Sequence, residues 1–447
     1  TNTISVTNAN QLTTINDDTT YDIQTDLTLG TITACNLNNV IITSTTGAEL
    51  TNSAFALSGT NLQISYLTFK NTNFGNPITI TDSTNVILNN NTINNRDENY
   101  EDTFGINVAT SDYVTITGNK VNVSSCPQGM NWFGPGYLYG APTVSGIMIN
   151  NTNNTDVTYN NVTVNSTALT AAYTYSTFDG IVVINNSQND NIEYNNVSVN
   201  GSEYIYGISL SYYVDSININ YNAIKVNGSN HVAGIQASST TNSKIKGNNI
   251  LGNCTATSGT TASAEAFAYG IILSTELYQS SVSESYHNEI KDNTINLNST
   301  IAYAIELNNA DYNNITSNTV NVYGNVVMDL GIYNSSYINV TNNNFYASGN
   351  TITLNPYIYE AIYPVTTGIK INQTSDHIFI KNNDITVIDS ANGVTSYAVI
   401  LEDCDDSKVQ NNNLLVNTFT PTPQDYDDLV LNNGSNNYIY NPWFKWN

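Results

Sequence analysis

One short pattern recurs through most of the chain and limits the folds that it can adopt. The pattern is φ-x-x-N-x-φ, where φ is an apolar residue, and the stretches VTYNNVTVN (157–165) and IEYNNVSVN (192–200) repeat it almost letter for letter. The asparagines of the eleven copies are Asn91, Asn119, Asn160, Asn195, Asn222, Asn248, Asn293, Asn318, Asn343, Asn383 and Asn412. A repeat of this kind indicates a solenoid rather than a globular domain.

A second element, a small residue followed by Ile or Val, precedes most copies. Examples are Gly146-Ile147 and Gly180-Ile181, and Ile147 lies 15 residues before Val162, which closes the pattern of its coil. Alternating β-branched residues are typical of strands, whereas Asn and Gly tolerate the left-handed backbone of tight corners. Each repeat is therefore predicted to be one coil of short strands joined at fixed corners.

Stacked coils of this type place equivalent residues about 4.8 Å apart. The recurring Asn is then expected to form a ladder, with each side-chain amide bonding to the next coil. A leucine-rich repeat also contains L-x-x-N-x-L, but its return path needs helical segments. Here the return path is rich in Thr, Ser, Asn and Tyr, which favours the β-solenoid.

The φ-x-x-N-x-φ coils that follow Gly-Ile pairs resemble the right-handed parallel β-helix repeats of the pectin-lyase-like superfamily. Their Asn-, Thr- and Tyr-rich, Lys-poor form resembles adhesin-like surface proteins of methanogenic archaea. The resemblance covers roughly Val40 to Ile439. It implies an all-β fold, a single right-handed parallel β-helix of about thirteen coils with an Asn ladder and capped ends.

The two ends lack the pattern and are expected to cover the exposed strand edges of the solenoid. Residues 1–38 are predicted to be an N-terminal cap, with a short helix near Asn8, and residues 39–417 the β-helix repeats. Residues 418–447 are predicted to be a C-terminal cap or an interface segment.

Composition excludes several classes of partner. Only 11% of residues are charged, the net charge is −25, and Arg96 is the single arginine. Nucleic acids and anionic membranes are bound through clusters of Lys and Arg, so neither is expected as a partner. No stretch approaches the ~20 apolar residues of a membrane span. The start at Thr1 would fit removal of a signal peptide, or trimming, and we expect an extracellular protein at the cell surface.

The four cysteines, Cys35, Cys126, Cys254 and Cys404, lie in well-separated coils. Disulfide formation needs Cα atoms within about 7 Å, so free, buried thiols are expected.

Insertions between the strand after the Asn and the next Gly-Ile pair lengthen several coils. The main ones are 124–144, 165–178, 251–268, 346–366 and 386–396. Loops on one side of a solenoid often form its binding face, and Tyr and Trp offer flat apolar area with a polar edge. The predicted binding or interface residues are Trp132, Phe133, Tyr137, Tyr139, Tyr357, Tyr359 and Tyr363.

The superfamily resemblance also raises the question of polysaccharide lysis or hydrolysis. Polygalacturonase-like enzymes use paired acids, a Gly-His-Gly and an Arg-Ile-Lys, and fragments occur here around Asp156, Asp179, His231 and Lys244. The acids must face each other within about 10 Å. Asp156 and Asp179 precede different strands of the coil, His231 lacks its glycines, and Lys244 replaces the arginine. The sequence therefore predicts no enzymatic activity.

Acidic clusters are the only candidate metal ligands. Glu402, Asp403, Asp405 and Asp406 could bind a structural calcium ion through carboxylate oxygens, although a solvated acidic loop explains them equally. No other cofactor is expected. Sequons are about as frequent as the Asn content alone would give, and the candidates for glycosylation are Asn122, Asn153, Asn165, Asn200 and Asn227.

These features predict a non-enzymatic, adhesin-like surface protein that presents a Tyr/Trp-rich loop face to glycans, cells or other surface proteins. A first alternative is a self-assembling structural subunit of a sheath, surface layer or extracellular filament, in which identical copies bind one another. A second alternative is a polysaccharide-degrading enzyme of the pectin-lyase-like type.

Overall fold

The computed structural model describes residues 2–98, 102–125, 143–166, 177–201, 204–255, 266–274, 284–349, 366–389, 396–418 and 429–441. The chain divides into two compact units, Thr1–Ile224 and Lys225–Asn447, and each unit is described by itself. Among the described residues, no helix is long and apolar enough to cross a membrane.

Short strands make up nearly all regular structure of the described residues of the first unit, and the last of them, Ala223–Gly228, extends past the end of the unit at Ile224. Among these residues one 3-10 helix, Ala9–Leu12, follows the first strand. The strands are β1 (Asn2–Val6), β2 (Thr19–Ile23), β3 (Gly30–Thr43), β4 (Glu49–Thr51), β5 (Ser53–Ser65), β6 (Thr68–Thr72), β7 (Ile78–Thr81), β8 (Thr84–Asn89), β9 (Thr92–Asp97), β10 (Thr103–Ala109), β11 (Asp112–Thr117), β12 (Lys120–Ser125), β13 (Thr143–Asn150), β14 (Asp156–Thr158), β15 (Asn161–Ser166), β16 (Thr177–Ile184), β17 (Asn191–Glu193), β18 (Asn196–Asn200), β19 (Tyr204–Ser211), β20 (Val214–Asp215), β21 (Asn218–Asn220) and β22 (Ala223–Gly228).

The second unit continues with the same kind of strand. Its strands are β23 (His231–Ser238), β24 (Thr240–Thr241), β25 (Lys244–Lys246), β26 (Asn249–Cys254), β27 (Phe267–Ser274), β28 (Glu289–Lys291), β29 (Thr294–Asn308), β30 (Asn314–Thr316), β31 (Thr319–Tyr333), β32 (Asn339–Thr341), β33 (Asn344–Gly349), β34 (Thr366–Asn372), β35 (Phe379–Lys381), β36 (Asp384–Asp389), β37 (Tyr397–Leu401), β38 (Lys408–Gln410), β39 (Asn413–Thr418), β40 (Val430–Asn432) and β41 (Tyr438–Tyr440).

Equivalent strands of successive coils pair in parallel and form three faces. In the first unit, the first face contains β7, β10, β13, β16 and β19, the second β8, β11, β14, β17 and β21, and the third β9, β12, β15 and β18. In the second unit, the first face runs from β23 through β27, β29, β31, β34 and β37 to β40, and the second from β25 through β28, β30, β32, β35 and β38 to β41. Its third face contains β26, β29, β31, β33, β36 and β39. The predicted all-β parallel β-helix is thus confirmed.

The core consists of β-branched residues at alternate strand positions. In one coil, Ile147 and Ile149 on the first face, Val157 on the second, and Val162 and Val164 on the third are fully buried. Burial of each such side chain contributes roughly 1.5–3 kcal/mol, before the cost of ordering the chain. The apolar positions of the repeat are therefore the core positions of the fold.

The small residue before Ile lies within the first-face strand, where neighbouring atoms leave no room for a side chain. A Cβ atom on Gly180 would lie 2.2 Å from Cγ1 of Val197 and 2.5 Å from the carbonyl oxygen of Gly207. Gly146 meets the same restriction from Val162 and from the oxygen of Gly180. A larger side chain would overfill the core, which explains why small residues recur at this position.

The predicted Asn ladder is present in both units. The Nδ2 atom of each ladder Asn donates to Oδ1 of the Asn in the next coil, at 3.0–3.2 Å. In the first unit the ladder connects Asn91, Asn119, Asn160, Asn195 and Asn222, and in the second Asn248, Asn293, Asn318, Asn343, Asn383, Asn412 and Asn441. Asn441 is a further rung of the ladder, beyond the eleven asparagines of the sequence pattern.

A second ladder was not predicted. It lies at the corner between the first and second faces. The backbone N–H of Ser83 donates to Oγ of Ser111 in the next coil at 3.1 Å, and Ser335 donates to Ser375 in the same way at 3.0 Å. These hydroxyls satisfy backbone groups that the short strands leave unpaired at the bend.

The N-terminal region predicted as a cap contains strands as well as the expected helix. Asn8 is the N-cap of the helix, and its side chain accepts from the N–H of Asn10 at 3.1 Å. Strands β1 and β2 pair in parallel, and β2 pairs with β3. The cap boundaries at 38 and 418 remain predictions.

The described cysteines carry free thiols. Cys254 and Cys404 are buried, as predicted, whereas Cys35 is exposed, so its expected burial was wrong. Burial raises the pKa of Cys254 to about 12 and that of Cys404 to about 11. Cys126 lies outside the described residues.

Candidate functional site

Two corners of each coil present side chains to solvent in regular columns. Corner 1 joins the first and second faces, and corner 2 immediately precedes the ladder Asn. Corner 1 holds Asn85, Tyr113, Asn154 and Asn189 in the first unit and His287, Tyr312, Tyr337 and His377 in the second; corner 2 of the first unit holds Asn90, Gly118, Tyr159, Tyr194 and Tyr221. Their backbone φ values all lie between 55° and 67°.

Tyrosine is an unexpected residue at these corners. Asn and Gly enter the left-handed region readily, whereas a bulky L-residue there costs roughly 1–2 kcal/mol. Strained bulky residues that persist in a fold often belong to functional sites. The sequence patterns missed these tyrosines as corner residues because the propensity argument assigns the corners to Asn and Gly.

Three corner tyrosines of the first unit form a stack. The ring centroids of Tyr159 and Tyr194 are 5.2 Å apart with planes at 6°, and those of Tyr194 and Tyr221 are 5.3 Å apart at 13°. Both faces of Tyr194 are therefore covered by rings. Tyr159 ends the stack, because Gly118 occupies its position in the preceding coil, and it is 64% exposed.

Corner 1 of the second unit carries a stack of four rings. The rings of Tyr312 and Tyr337 lie 4.7 Å apart with planes at 1°, and Tyr337 stacks on His377 at 4.7 Å. His287 approaches the other face of Tyr312 at 5.4 Å, tilted by 60°. The inner rings of this stack present mainly their edges to solvent.

The aromatic loop residues predicted from sequence cannot be placed on these surfaces. Trp132, Phe133, Tyr137, Tyr139, Tyr357, Tyr359 and Tyr363 all lie outside the described residues. Their role in binding remains a prediction.

The acidic quartet predicted for calcium lies after β37. Glu402 pairs with Nζ of Lys370 at 3.4 Å and accepts from Asn372 at 3.1 Å, while Asp405 accepts from the N–H of Ser435 at 2.5 Å. Asp403 and Asp406 have left-handed backbone angles. Within the described ranges no three His, Cys, Asp or Glu side chains form a group able to hold a metal. Calcium binding by Glu402, Asp403, Asp405 and Asp406 stays a prediction.

The predicted glycosylation sites lie on or beside strands. Asn122 is on β12, Asn165 on β15, Asn200 on β18 and Asn227 on β22, and Asn153 forms an isolated bridge between coils. Nδ2 of Asn122 donates to Asn94 at 2.9 Å, and Nδ2 of Asn153 donates to Asp112 at 2.9 Å. Glycan attachment would leave Nδ2 only one hydrogen to donate, and modification stays a prediction.

The residues compared with polygalacturonase-like sites are separated as predicted. Asp156 pairs in register with Thr115 and Asn191 on the second face, whereas Asp179 lies between Ser145 and Tyr206 on the first face. His231 lies on β23 in the second unit, where burial lowers its pKa to about 4, so it is neutral at physiological pH.

Asp179 nevertheless has the properties of an acid–base group. Burial raises its pKa to about 7, although hydrogen bonds with Ser209 and Thr177 act in the opposite direction. Asp179 is buried on β16 and pairs in register with Tyr206, and burial and the Asp179 charge raise the pKa of Tyr206. A carboxyl that titrates near neutrality can give or take protons under physiological conditions.

A second carboxyl with a raised pKa, that of Glu306, occurs on the first face of the other unit. Burial raises the pKa of Glu306 to about 7, and Glu306 in turn contributes to the raised pKa of Tyr333. Gly331 is the neighbour of Glu306 in the next coil. The side chains of Met328 and Tyr333 occupy the space that a side chain at Gly331 would need. The sequence analysis missed Glu306 because no motif surrounds it.

Comparison with known proteins gives no family and only distant structural matches. No protein-family model matches the chain, and no curated protein matches it in sequence. Solved structures that match include the A-module of mannuronan C-5 epimerase AlgE6 from Azotobacter vinelandii, with 11% identity, a TM-score of 0.39 and coverage of 87% of this chain and 89% of that chain. DFA-IIIase from Arthrobacter chlorophenolicus A6 matches with 10% identity, a TM-score of 0.40 and coverage of 85% and 89%. The surface adhesin PfbA of Streptococcus pneumoniae matches with 11% identity, a TM-score of 0.36 and coverage of 87% and 84%.

These structures are parallel β-helix proteins, in agreement with the fold that the pectin-lyase-like resemblance implied. At such identities and TM-scores the likeness concerns the fold alone. The prediction that the chain is not an enzyme must still be corrected, because polysaccharide-modifying enzymes predominate among the matching structures. The fold and the absence of a familiar motif are therefore no basis for excluding catalysis.

Proposed function

We propose that this chain is an adhesin-like extracellular surface protein that contacts carbohydrate through corner tyrosines with a ring face not covered by another ring. The observation that carries the proposal is the open end of the stack at Tyr159. One face of this ring is turned toward Gly118, which has no side chain and is approached from the preceding coil by the side chain of Asn90, and Tyr159 is 64% exposed as a residue. An exposed aromatic face with a hydroxyl at its edge suits the apolar face and polar rim of a sugar ring.

The surroundings of Tyr159 support a carbohydrate rather than a charged polymer. The neighbouring second-face side chains in the same two coils include Thr117 and Thr158, whose hydroxyls lie 3.1 Å apart. Neutral hydroxyls can both donate and accept, as sugar hydroxyls do. The net charge of −25 disfavours polyanionic partners at long range.

A glycan array probed with the full chain tests this proposal. The Tyr159→Asn variant is expected to lose about tenfold or more in affinity, because the stacking face is removed while Asn fits the left-handed corner. Tyr194→Asn is the matched control, since both faces of Tyr194 are covered by rings. Absence of any bound glycan, or equal losses in the two variants, would argue against the proposal.

A second candidate function is polysaccharide modification by acid–base chemistry at Asp179. It is favoured by the carboxyl of Asp179, whose pKa is raised to about 7, beside the phenol of Tyr206. Such a pair could remove a proton from a sugar or deliver one to it.

This candidate is tested by incubating the full chain with a panel of polysaccharides and measuring new reducing ends and unsaturated products. Asp179→Asn should abolish any activity. Asp190→Asn is the control, because Asp190 has a similarly raised pKa but lies between β16 and β17, where its oxygens accept from Thr155 and Thr152, and not beside Tyr206 on the first face. Activity that survives Asp179→Asn would remove Asp179 from consideration.

A further inference from the structure

A groove on the second face of the first unit has the shape and chemistry of a glycan site. Its volume is about 450 Å³, within the usual range for ligand sites. Its rim follows corner 1 from Asn39 to Asn154, with Asn61, Asn85 and Tyr113 between them. Five coils at about 4.8 Å spacing give a length of about 19 Å, which is longer than a single sugar ring.

The groove combines an aromatic ring, an aliphatic side chain and amides. Tyr113 is 59% exposed as a residue. Ile87, which lines the groove, is 42% exposed although its side chain is fully apolar. Nδ2 of Asn85 donates to Oδ1 of Asn61 at 3.3 Å, which uses only one of the four hydrogen-bonding positions of each amide. The remaining positions suit hydroxyl groups.

Tyr113 differs from the stacked corner tyrosines. At the same corner of the second unit, Tyr312 lies between the rings of His287 and Tyr337. Among the described residues, the neighbours of Tyr113 along the corner are Asn85 and Asn154, so it carries the cost of a left-handed backbone without ring stacking on either neighbour. Its ring borders the groove instead.

The charge of the lining separates uncharged from acidic ligands. Among the described residues that line the groove there is no Lys, Arg or His, and the one carboxyl is that of Asp156, whose Oδ1 accepts from Asn191 at 2.7 Å. A carboxylated or sulfated chain would meet this carboxylate without a compensating cation. An uncharged chain loses nothing by that contact.

We infer that this groove binds an uncharged oligosaccharide, with one sugar ring against Tyr113 and hydroxyls on the amides of Asn61 and Asn85. The inference rests on the proposed function, contact with carbohydrate, and adds a location and a ligand class. It is independent of the open face at Tyr159, which lies at the other corner.

Calorimetric titration of the full chain tests the inference with three probes: cellohexaose, mannohexaose and hexagalacturonic acid. At least one uncharged probe is expected to bind, and the acidic probe is expected not to bind. Tyr113→Asn should weaken binding by about tenfold while preserving the corner, because Asn occupies the flanking coils. Tyr312→Asn, at the same corner in the second unit and 49% exposed, should leave affinity unchanged.

Three outcomes would overturn the inference. The first is preference for hexagalacturonic acid, and the second is an equal effect of Tyr113→Asn and Tyr312→Asn. The third is binding that is lost in Tyr159→Asn but kept in Tyr113→Asn, which would retain the proposed function and reject this groove. Absence of binding by every probe and every arrayed glycan would reject both.

Discussion

A ladder asparagine joins three successive coils, as Asn160 illustrates. Its Nδ2 donates to Oδ1 of Asn195 at 3.0 Å and to the carbonyl oxygen of Ile116 at 2.8 Å, and its Oδ1 accepts from the backbone N–H of Asn119 at 2.9 Å. The side chain is buried. No other side chain of this size offers both the donors and the acceptor, so the recurrence of Asn follows from hydrogen bonding rather than from corner propensity alone.

Replacement of Asn160 by Ala should therefore destabilise the fold strongly. The change leaves the N–H of Asn119 and the carbonyl of Ile116 buried without partners, and we expect a loss of about 2–4 kcal/mol in the free energy of unfolding. Asn161→Ala is the control, since Asn161 is exposed and its side chain makes only a 3.3 Å bond with Asn196. Urea denaturation followed by circular dichroism measures both, and similar midpoints would contradict the ladder's energetic role.

Asp329 departs from the repeat in the opposite sense. It occupies the small-residue position that Ala304 and Gly368 fill in the adjacent coils, and it is fully buried. Neither carboxyl oxygen has a hydrogen-bond partner, and burial raises its pKa well above the ordinary value. A polar group buried in this way is unfavourable whether or not it is protonated.

Asp329→Ala is expected to stabilise the protein. Removal of an unsatisfied buried carboxyl should raise the free energy of unfolding by about 1–3 kcal/mol, because Ala is already accepted at position 304. Asp384→Ala removes a carboxyl from an exposed strand end and should change stability by less than about 0.5 kcal/mol. Differential scanning calorimetry at neutral pH provides the comparison; a lower melting temperature for Asp329→Ala would show that the carboxyl is needed.

At the scale of the strand, Gly180 within β16 marks a steric limit. The Cβ contacts of 2.2 Å and 2.5 Å at Gly180 involve a valine methyl and a backbone oxygen. The methyl can rotate with its side chain, but the carbonyl is fixed by the next coil. The fixed carbonyl of Gly207 therefore leaves no room for a Cβ atom at position 180.

Gly180→Ala is expected to lower the free energy of unfolding by about 1–3 kcal/mol through overpacking. Ser198→Ala, an outward residue between the core residues Val197 and Val199, serves as the control and should have little effect. Thermal melts of the two variants decide the matter. If the Gly180→Ala protein is as stable as wild type, β16 and β19 can move apart around Gly180.

Sequence patterns predicted the strands and the Asn ladder because both follow from local periodicity. Tyr159 and Tyr113 were not predicted as corner residues, since propensity disfavours Tyr in the left-handed region and the gain from stacking depends on adjacent coils. The Ser83–Ser111 contact was missed because a single Ser per coil gives a weak pattern. Asp179 was dismissed by comparison with known motifs, whereas its burial depends on tertiary structure.

At the scale of the whole molecule, acidic residues far outnumber basic ones, and several of the carboxyl groups are buried. There are 36 Asp and Glu against 11 Lys and Arg. Asp179 and Asp190 in the first unit and Glu306 in the second each have a pKa raised to about 7 by burial. Near neutral pH these groups are partly protonated in the folded chain, so the fold and its pH response are linked.

The stability of the protein should increase on mild acidification. The folded pKa of Asp179, Asp190 and Glu306 is about 7, above the unfolded value near 4, so protonation favours the folded state. Each group should contribute about 1.4 kcal/mol per pH unit as the pH falls from about 7 toward 4, with no further change above the folded pKa. Lower net negative charge acts in the same direction.

Melting temperatures measured at several pH values and constant ionic strength test this expectation. The variants Asp179→Asn and Glu306→Gln separate the effect of the buried carboxyls from that of the net charge. Each should flatten the dependence of the melting temperature on pH. Asp384→Ala removes an exposed carboxyl and should leave the slope unchanged. A protein most stable at pH 8, or a slope unaffected by Asp179→Asn, would show that the buried carboxyls do not link folding to proton uptake.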